Sequence, residues 1–241
     1  MRNSVFGAMA ALPRSRFWLV CVDLGPVIAV AALPCSTTVV GILMAAWLLA
    51  LLPTIDVRDF WGSLQTPSSY MPAMLLALAV AGLFWTQADW AARLHGLGPV
   101  IKFGFLPLLF YHFGRSQRTE WMFTAFLVSS SALMVFSWIV YFVPIFQIGH
   151  ARAAGVPVRN YIDQSQEFAL CIFGLAPAML ALFRARNVKP ALACLALFLG
   201  FVGNMALVVI ARTAFLYMPI MTVMFALRYL NRTTAAFFWL A

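Results

Sequence analysis

Eight long apolar runs, separated by short polar stretches, constrain this chain more than any other feature of its sequence. A helix needs about 20 mainly apolar residues to cross a bilayer, and its backbone polar groups must be satisfied inside the hydrocarbon. The sequence therefore predicts an all-α, polytopic transmembrane protein with about eight crossings and no soluble domain. The predicted crossings are 17–35, 37–53, 71–88, 98–113, 120–143, 165–183, 190–210 and 214–230.

Composition agrees with a membrane protein, because 64% of the residues are hydrophobic and only 10% are charged. Soluble domains have about 45–50% apolar and about 25% charged residues. The net charge of +9 comes from basic residues between the apolar runs, so we expect the lipid bilayer rather than nucleic acid as the partner. Residues 235–241 begin another apolar run, which we interpret as a truncated ninth crossing.

The distribution of basic residues predicts the orientation, because cytoplasmic loops of membrane proteins are enriched in Lys and Arg. A cytoplasmic N-terminus places most of the basic residues inside. This set is Arg2, Arg14, Arg16, Arg58, Arg115, Arg118, Arg184, Arg186, Lys189, Arg228 and Arg232. We therefore predict a multi-pass membrane protein with its N-terminus in the cytoplasm.

Five basic residues map to the outer face, where the positive-inside pattern does not require them. They are Arg93, Lys102, Arg152, Arg159 and Arg212. An Arg side chain binds phosphate oxygens through a planar fork and a Lys side chain acts as a point charge, so together they predict an anion site. The anion expected at this depth is a lipid phosphate or pyrophosphate. The alternative is that these side chains snorkel to outer headgroups.

Other polar residues have weaker functional patterns. Asp23 lies inside the first crossing, where a carboxylate is a functional candidate, but the sequence does not reveal its partner. His95 and His150 map outside and are either proton acceptors or interfacial residues. Asp163 and Glu167 are expected to interact favourably with the N-terminus of the sixth crossing. No nucleotide-binding loop, metal site or cofactor site is recognisable, and we expect no disulfide.

Four short motifs resemble the O-antigen ligase family, which shares its fold with O-antigen polymerases. The best is Arg212-Thr-Ala214 after an apolar helix, although Ala211 stands where the family often has Ser. The others are Pro34-Cys-Ser-Thr-Thr38, Lys102 ahead of Phe105-Leu-Pro-Leu-Leu109, and Val156-Pro-Val-Arg-Asn-Tyr-Ile-Asp-Gln-Ser165. The order and spacing of the motifs along the chain match those of the family.

This resemblance implies a glycosyltransferase of lipopolysaccharide biosynthesis. Such an enzyme lies in the bacterial inner membrane and moves a glycan from undecaprenyl pyrophosphate to lipid A–core or another glycan acceptor on its periplasmic side, without metal or nucleotide sugar. Arg212 is then the expected catalytic residue, and Lys102, Arg159, Arg93 and Arg152 are the expected pyrophosphate ligands. Ligase and polymerase remain open, as do the sugar and the acceptor.

The family has about twelve crossings, and its histidine-bearing loop follows the point that matches the end of this chain. We therefore expect residues 1–241 to be a single transmembrane domain from the N-terminal part of a longer enzyme, a fragment inactive alone. Neither His95 nor His150 matches the family histidine. The alternative from another functional class is a polytopic transporter or channel, which predicts broken helices in matching halves.

Overall fold

The computed structural model of the chain describes residues 16–143, 155–157, 161–208 and 214–229. Within these ranges the regular secondary structure is entirely helical, and no strand is present. The prediction of an all-α fold is therefore confirmed for the part of the chain that is described.

The helices follow one another with short connections. They are α1 (Arg16–Ala32), α2 (Thr37–Leu51), α3 (Val57–Ser63), α4 (Pro67–Trp85), α5 (Trp90–Ile101), α6 (Phe105–Phe113), α7 (Thr119–Phe142), α8 (Tyr161–Arg184), α9 (Val188–Leu207) and α10 (Ala214–Tyr229). Two 3₁₀ turns join them, Leu52–Thr54 after α2 and Lys102–Gly104 between α5 and α6.

Six helical segments are long and apolar enough to cross a bilayer, which supports a membrane-spanning protein. They are Thr37–Thr54, Pro67–Trp85, Trp90–Phe113, Thr119–Phe142, Tyr161–Arg184 and Val188–Leu207. The predicted first and eighth crossings coincide with shorter apolar helices, Phe17–Ala32 and Leu216–Tyr229. The count of about eight crossings stays a prediction. The apolar run 235–241 lies outside the described residues.

The fourth crossing begins earlier than the sequence suggested, because the segment Trp90–Phe113 extends the predicted 98–113 at its N-terminal end. The Asp89 side chain accepts a hydrogen bond from the Ala92 backbone N–H and so caps the first turn of α5. Arg93 and His95 lower the mean hydropathy at the start of α5. Hydropathy alone therefore assigns these residues to a loop.

The polar stretch 54–70 also contains a helix that apolar periodicity does not reveal. Asp56 caps α3, because its carboxylate accepts hydrogen bonds from the backbone N–H groups of Arg58 and Asp59. The Asp56 backbone N–H in turn donates to the Tyr111 hydroxyl at 2.9 Å, which ties this short helix to the end of α6.

The described residues fall into two compact units, and the prediction of one transmembrane domain over 1–241 stays a prediction. The first unit lies within Met1–Pro26 and Leu43–Met122. In it, α4 packs along α5, the 3₁₀ turn and α6, which return antiparallel to it. A small core forms around Val22, Trp47 and Leu51, all almost fully buried.

The second unit lies within Val27–Ile42 and Phe123–Ala241 and is built mainly on the packing of α8 against α9. Its core contains Phe168 and Phe201, both fully buried, whose ring centroids lie 5.1 Å apart. Gly200 lets α9 approach α7 closely, since a Cβ there would lie 3.0 Å from the Met134 sulfur.

Candidate functional site

The structure describes two of the five predicted site residues, Arg93 and Lys102, both in the first unit. Arg152, Arg159 and Arg212 lie outside the described residues. The anion site of five cations therefore stays a prediction, and the structure describes the surroundings of two of its members.

Arg93 is held in place at the C-terminal end of α4. Its Nε donates to the Ala88 carbonyl at 2.6 Å and its Nη1 donates to the Leu83 carbonyl at 2.7 Å. The guanidinium also lies 4.8 Å from the ring centroid of Trp90, within cation–π distance. The bond to Leu83 satisfies a carbonyl in the last turn of α4, and the bond to Ala88 holds the cation against the connection to α5. Together they use only part of the five N–H groups of a guanidinium.

Lys102 lies deeper in the apolar segment than the sequence suggested. The predicted crossing 98–113 put it near the outer mouth, but it stands about midway along Trp90–Phe113. A Cβ on neighbouring Gly104 would lie 2.9 Å from Leu76, which is in the middle of α4. Lys102 is exposed on the protein surface, and a lysine at membrane depth is a functional candidate because its desolvation is costly.

An apolar groove of about 810 Å³ runs between α4 and α6. Neither cation lines it, but Phe84 follows Leu83, whose carbonyl binds Arg93, and Gly104 is two residues from Lys102. The lining of the groove is almost entirely apolar. The lining residues are Phe60, Leu64, Ala73, Leu76, Ala77, Val80, Ala81, Phe84, Trp85, Gly104, Pro107 and Leu108. The groove thus reaches the end of α4 at which Arg93 is bound.

Small residues create this groove. Ala73, Ala77 and Ala81 are four residues apart, so they lie on one face of α4 and leave space where larger side chains would pack. Gly104 and Pro107 do the same on the opposite wall. A surface that is both apolar and concave at membrane depth can hold a lipid chain, because it adds van der Waals contact that a flat helix face lacks.

The structure supplies the partners of Asp23 that the sequence did not reveal. Its carboxylate is 95% buried and lies 2.8 Å from His112 Nε2 and 2.7 Å from Arg118 Nη1. Trp47 packs edge-on against the His112 ring. The sequence predicts both partners and the start of α1 near the same face of the membrane. This shared location is the only signal in the sequence that could have suggested that they pair with Asp23.

A second cavity, of about 630 Å³, opens beside this carboxylate in the same unit. Unlike the groove it has a polar lining. The lining residues are Leu19, Asp23, Thr54, Tyr111, His112, Arg115, Ser116, Gln117, Arg118 and Trp121. Arg115 Nη1 donates to the Tyr111 hydroxyl and lies 3.4 Å from the Asp59 carboxylate.

The second unit contains a buried polar cluster that anchors the short described segment 155–157. Ser137 donates to the Gly155 carbonyl at 2.6 Å, and the Gln164 amide donates to the Ser137 hydroxyl at 3.0 Å. The Asn204 amide also donates to Ser137 at 3.0 Å. The cluster therefore ties α7, α8 and α9 to the connection between α7 and α8, where Arg152 and Arg159 occur.

The remaining predicted candidates have ordinary surroundings where they are described. His95 is exposed on α5, and His150 lies outside the described residues. Asp163 is in the first turn of α8, the position that the helix dipole favours, and Glu167 is buried one turn later.

No group of three or more His, Cys, Asp or Glu side chains converges within the described ranges. Comparison with protein families, curated proteins and solved structures finds no match to this chain. The two cavities and the charges near them are therefore the features of the described residues that indicate function.

Proposed function

We propose that this chain belongs to an O-antigen ligase-like glycosyltransferase of a bacterial inner membrane. In this proposal about eight helices cross the membrane and the N-terminus is cytoplasmic. The protein binds a glycan linked to undecaprenyl pyrophosphate on the periplasmic side and transfers it to lipid A–core or another glycan acceptor.

The observation that carries the proposal is the apolar groove with a fixed cation at one end. The groove offers about 810 Å³ of apolar space, and Arg93 is bound to α4 beside the end lined by Phe84 and Trp85. A polyprenyl pyrophosphate has this same division, with a long branched hydrocarbon tail and an anionic head. Its tail would lie along α4, and its pyrophosphate would lie near Arg93.

The two described cations support the anionic head in different ways. Arg93 is already ordered by two backbone carbonyls, so little side-chain entropy is lost when it binds a phosphate. Lys102 begins deeper in the segment, but its flexible four-carbon stem lets the ammonium reach along the helix toward the head.

The proposed reaction needs no energy source within the chain, because the donor is already activated. A hydroxyl oxygen of the acceptor attacks the anomeric carbon, its proton goes to a base, and the bond from that carbon to the pyrophosphate oxygen breaks. Negative charge then grows on the departing pyrophosphate, and cations placed there stabilise the transition state more than the ground state. Arg212 is the proposed catalytic cation, with Arg93, Lys102, Arg152 and Arg159 as ligands.

Lipid binding by the purified chain in phosphatidylcholine nanodiscs tests this proposal. We expect undecaprenyl pyrophosphate to bind more tightly than undecaprenol, which has the same tail without the anion. Arg93→Gln should weaken pyrophosphate binding by about 10-fold or more, since charge-assisted hydrogen bonds contribute about 1.5–3 kcal/mol. Arg93→Lys should recover only part of the loss, because it lacks the planar fork.

Filling the groove gives a second, charge-independent variant. Ala77→Phe should weaken the binding of both lipids, because the added ring occupies the space proposed for the tail. Leu78→Trp is the matched control, since Leu78 is 61% exposed on the same helix and does not line the groove. Equal binding by all these variants, or no preference for the pyrophosphate, would exclude this site.

A transporter or channel is the second candidate, and one observation favours it. Asp23 on α1 and His112 on α6 form a polar group with Arg118, which lies in the turn before α7, and polar groups at membrane depth often mark ion or proton pathways. Proteoliposomes containing the chain would then conduct ions or protons in a way that depends on Asp23, and undecaprenyl pyrophosphate would have no preferred site.

A further inference from the structure

The polar cavity beside Asp23 lies where several helix ends of the first unit meet. Phe113 ends α6, Thr119 begins α7, Thr54 ends the turn after α2, and Leu19 is in the first turns of α1. Ends of membrane-spanning helices lie near the depth of the lipid headgroups. The cavity is therefore at headgroup level, whichever side of the membrane this end faces.

The positive charge in the lining of the cavity is only partly neutralised by acidic side chains. The single buried carboxylate, Asp23, already pairs with one nitrogen of Arg118. The Arg118 side chain nevertheless remains 37% exposed, and its pair with Asp23 uses only the Nη1 group. The remaining guanidinium N–H groups of Arg118 can therefore bind another anion.

Arg115 adds a second cation to the same lining. It is 54% exposed, and its ion pair with Asp59 is long, at 3.4 Å, between two exposed side chains. Exposed pairs of this kind contribute little, so an anion in the cavity can replace Asp59 as the partner of Arg115. Ser116 and Gln117, between the two arginines, add uncharged polar groups.

The apolar part of the lining indicates what kind of anion fits. Leu19 and Trp121 line the cavity together with the arginines, and Trp121 packs under Arg118 at 5.3 Å from its ring centroid. A tryptophan at a helix end is typical of the membrane–water interface. The volume of about 630 Å³ is within the range of about 300–1,000 Å³ found for small-molecule clefts.

From these observations we propose that the cavity binds the phosphate of an acidic phospholipid headgroup, held by Arg115 and Arg118. The shared chemistry is that of a phosphate ester, which two guanidinium groups recognise through paired N–H donors. The two apolar lining residues, Leu19 and Trp121, and the headgroup depth favour a lipid over a free phosphate. The inference depends neither on glycan transfer nor on the predicted orientation of the chain.

Native mass spectrometry of the delipidated full chain tests the proposal, with phosphatidylglycerol and phosphatidylcholine added separately. We expect phosphatidylglycerol to be retained at lower concentration than phosphatidylcholine. Arg115→Gln should weaken its retention by about 10-fold or more, because one charge-assisted contact is lost. Arg58→Gln is the control, since it removes an exposed charge from the same unit without altering the cavity lining.

Arg118 requires a paired variant, because removing it alone leaves Asp23 buried without its cation. Asp23→Asn with Arg118→Gln removes both charges and should weaken phosphatidylglycerol binding as Arg115→Gln does. Inorganic phosphate and glycerol 3-phosphate are then added as competitors, and we expect neither to displace the lipid at equal concentration. Equal retention of both lipids, equal behaviour of Arg115→Gln and Arg58→Gln, or displacement by free phosphate would each overturn the proposal.

Discussion

Replacing Arg118 with Gln should destabilise the first unit, because it leaves the Asp23 carboxylate buried without its charged partner. The carboxylate is 95% buried and lies 2.7 Å from the arginine. Breaking a buried ion pair from one side costs about 3–5 kcal/mol. Arg118 itself is more than a third exposed and His112 remains bonded to Asp23, so we expect the lower end, about 3 kcal/mol.

The cost should fall when the carboxylate is removed as well. Asp23→Asn keeps the size of the side chain and leaves Arg118 able to reach water, so we expect a smaller loss of about 1–2 kcal/mol. In the double variant Asp23→Asn with Arg118→Gln no charge is buried. Its melting temperature should therefore lie above that of Arg118→Gln, which is the signature of direct coupling.

The assay is thermal unfolding of the purified chain in detergent, followed by the fraction that remains monodisperse after heating. A loss of about 3 kcal/mol corresponds to a fall of about 6–12 °C for a chain of this size. Arg58→Gln should melt as the wild type does, because Arg58 is exposed. An unchanged melting temperature for Arg118→Gln, or simple additivity in the double variant, would refute the reasoning.

Three further predictions concern orientation, the second unit and the proposed reaction. In a cysteine-free background, a membrane-impermeant thiol reagent added outside should label Cys at position 87 and not at 117; the opposite pattern would reverse the topology. Gly155→Ala should lower the melting temperature by about 4–8 °C, because Gly155 has φ +76° and a Cβ would clash with Val208; Gly41→Ala, which has open space, should not. Arg212→Ala should reduce glycan transfer about 10²–10³-fold, with Arg212→Lys also impaired, and near-wild-type transfer by both would remove Arg212 from the site.

Helix positions were largely predictable from the sequence because it contains only a few apolar runs that are long enough to cross a bilayer. The errors arose where side chains, rather than hydropathy, determine the helix start. Asp89 and Asp56 cap α5 and α3, and both helices begin among charged residues that hydropathy assigns to loops. A helix cap is a local hydrogen bond, so the Asp just before each helix was the sequence signal that could have indicated where the helix starts.

The sites were less predictable because they depend on pairs that are distant in sequence. His112 and Arg118 bond to Asp23 across 89 and 95 residues, and no local pattern connects them. The groove needs small residues on α4 to face Gly104 and Pro107, which becomes visible only when the two helices are packed. The prediction of Lys102 near the outer mouth is wrong in depth because the predicted crossing 98–113 leaves out residues 90–97 of α5.

Photocrosslinking in bacterial membranes tests the central claim most directly, because any lipid that occupies the groove can react and then be identified. The photoreactive amino acid p-benzoylphenylalanine is placed at position 84, where it replaces an aromatic side chain that already lines the groove, or at position 78, outside it. We predict that mass spectrometry identifies an undecaprenyl pyrophosphate adduct at position 84 and ordinary phospholipid adducts at position 78. Phospholipid adducts alone at both positions would contradict the proposed lipid-linked donor site.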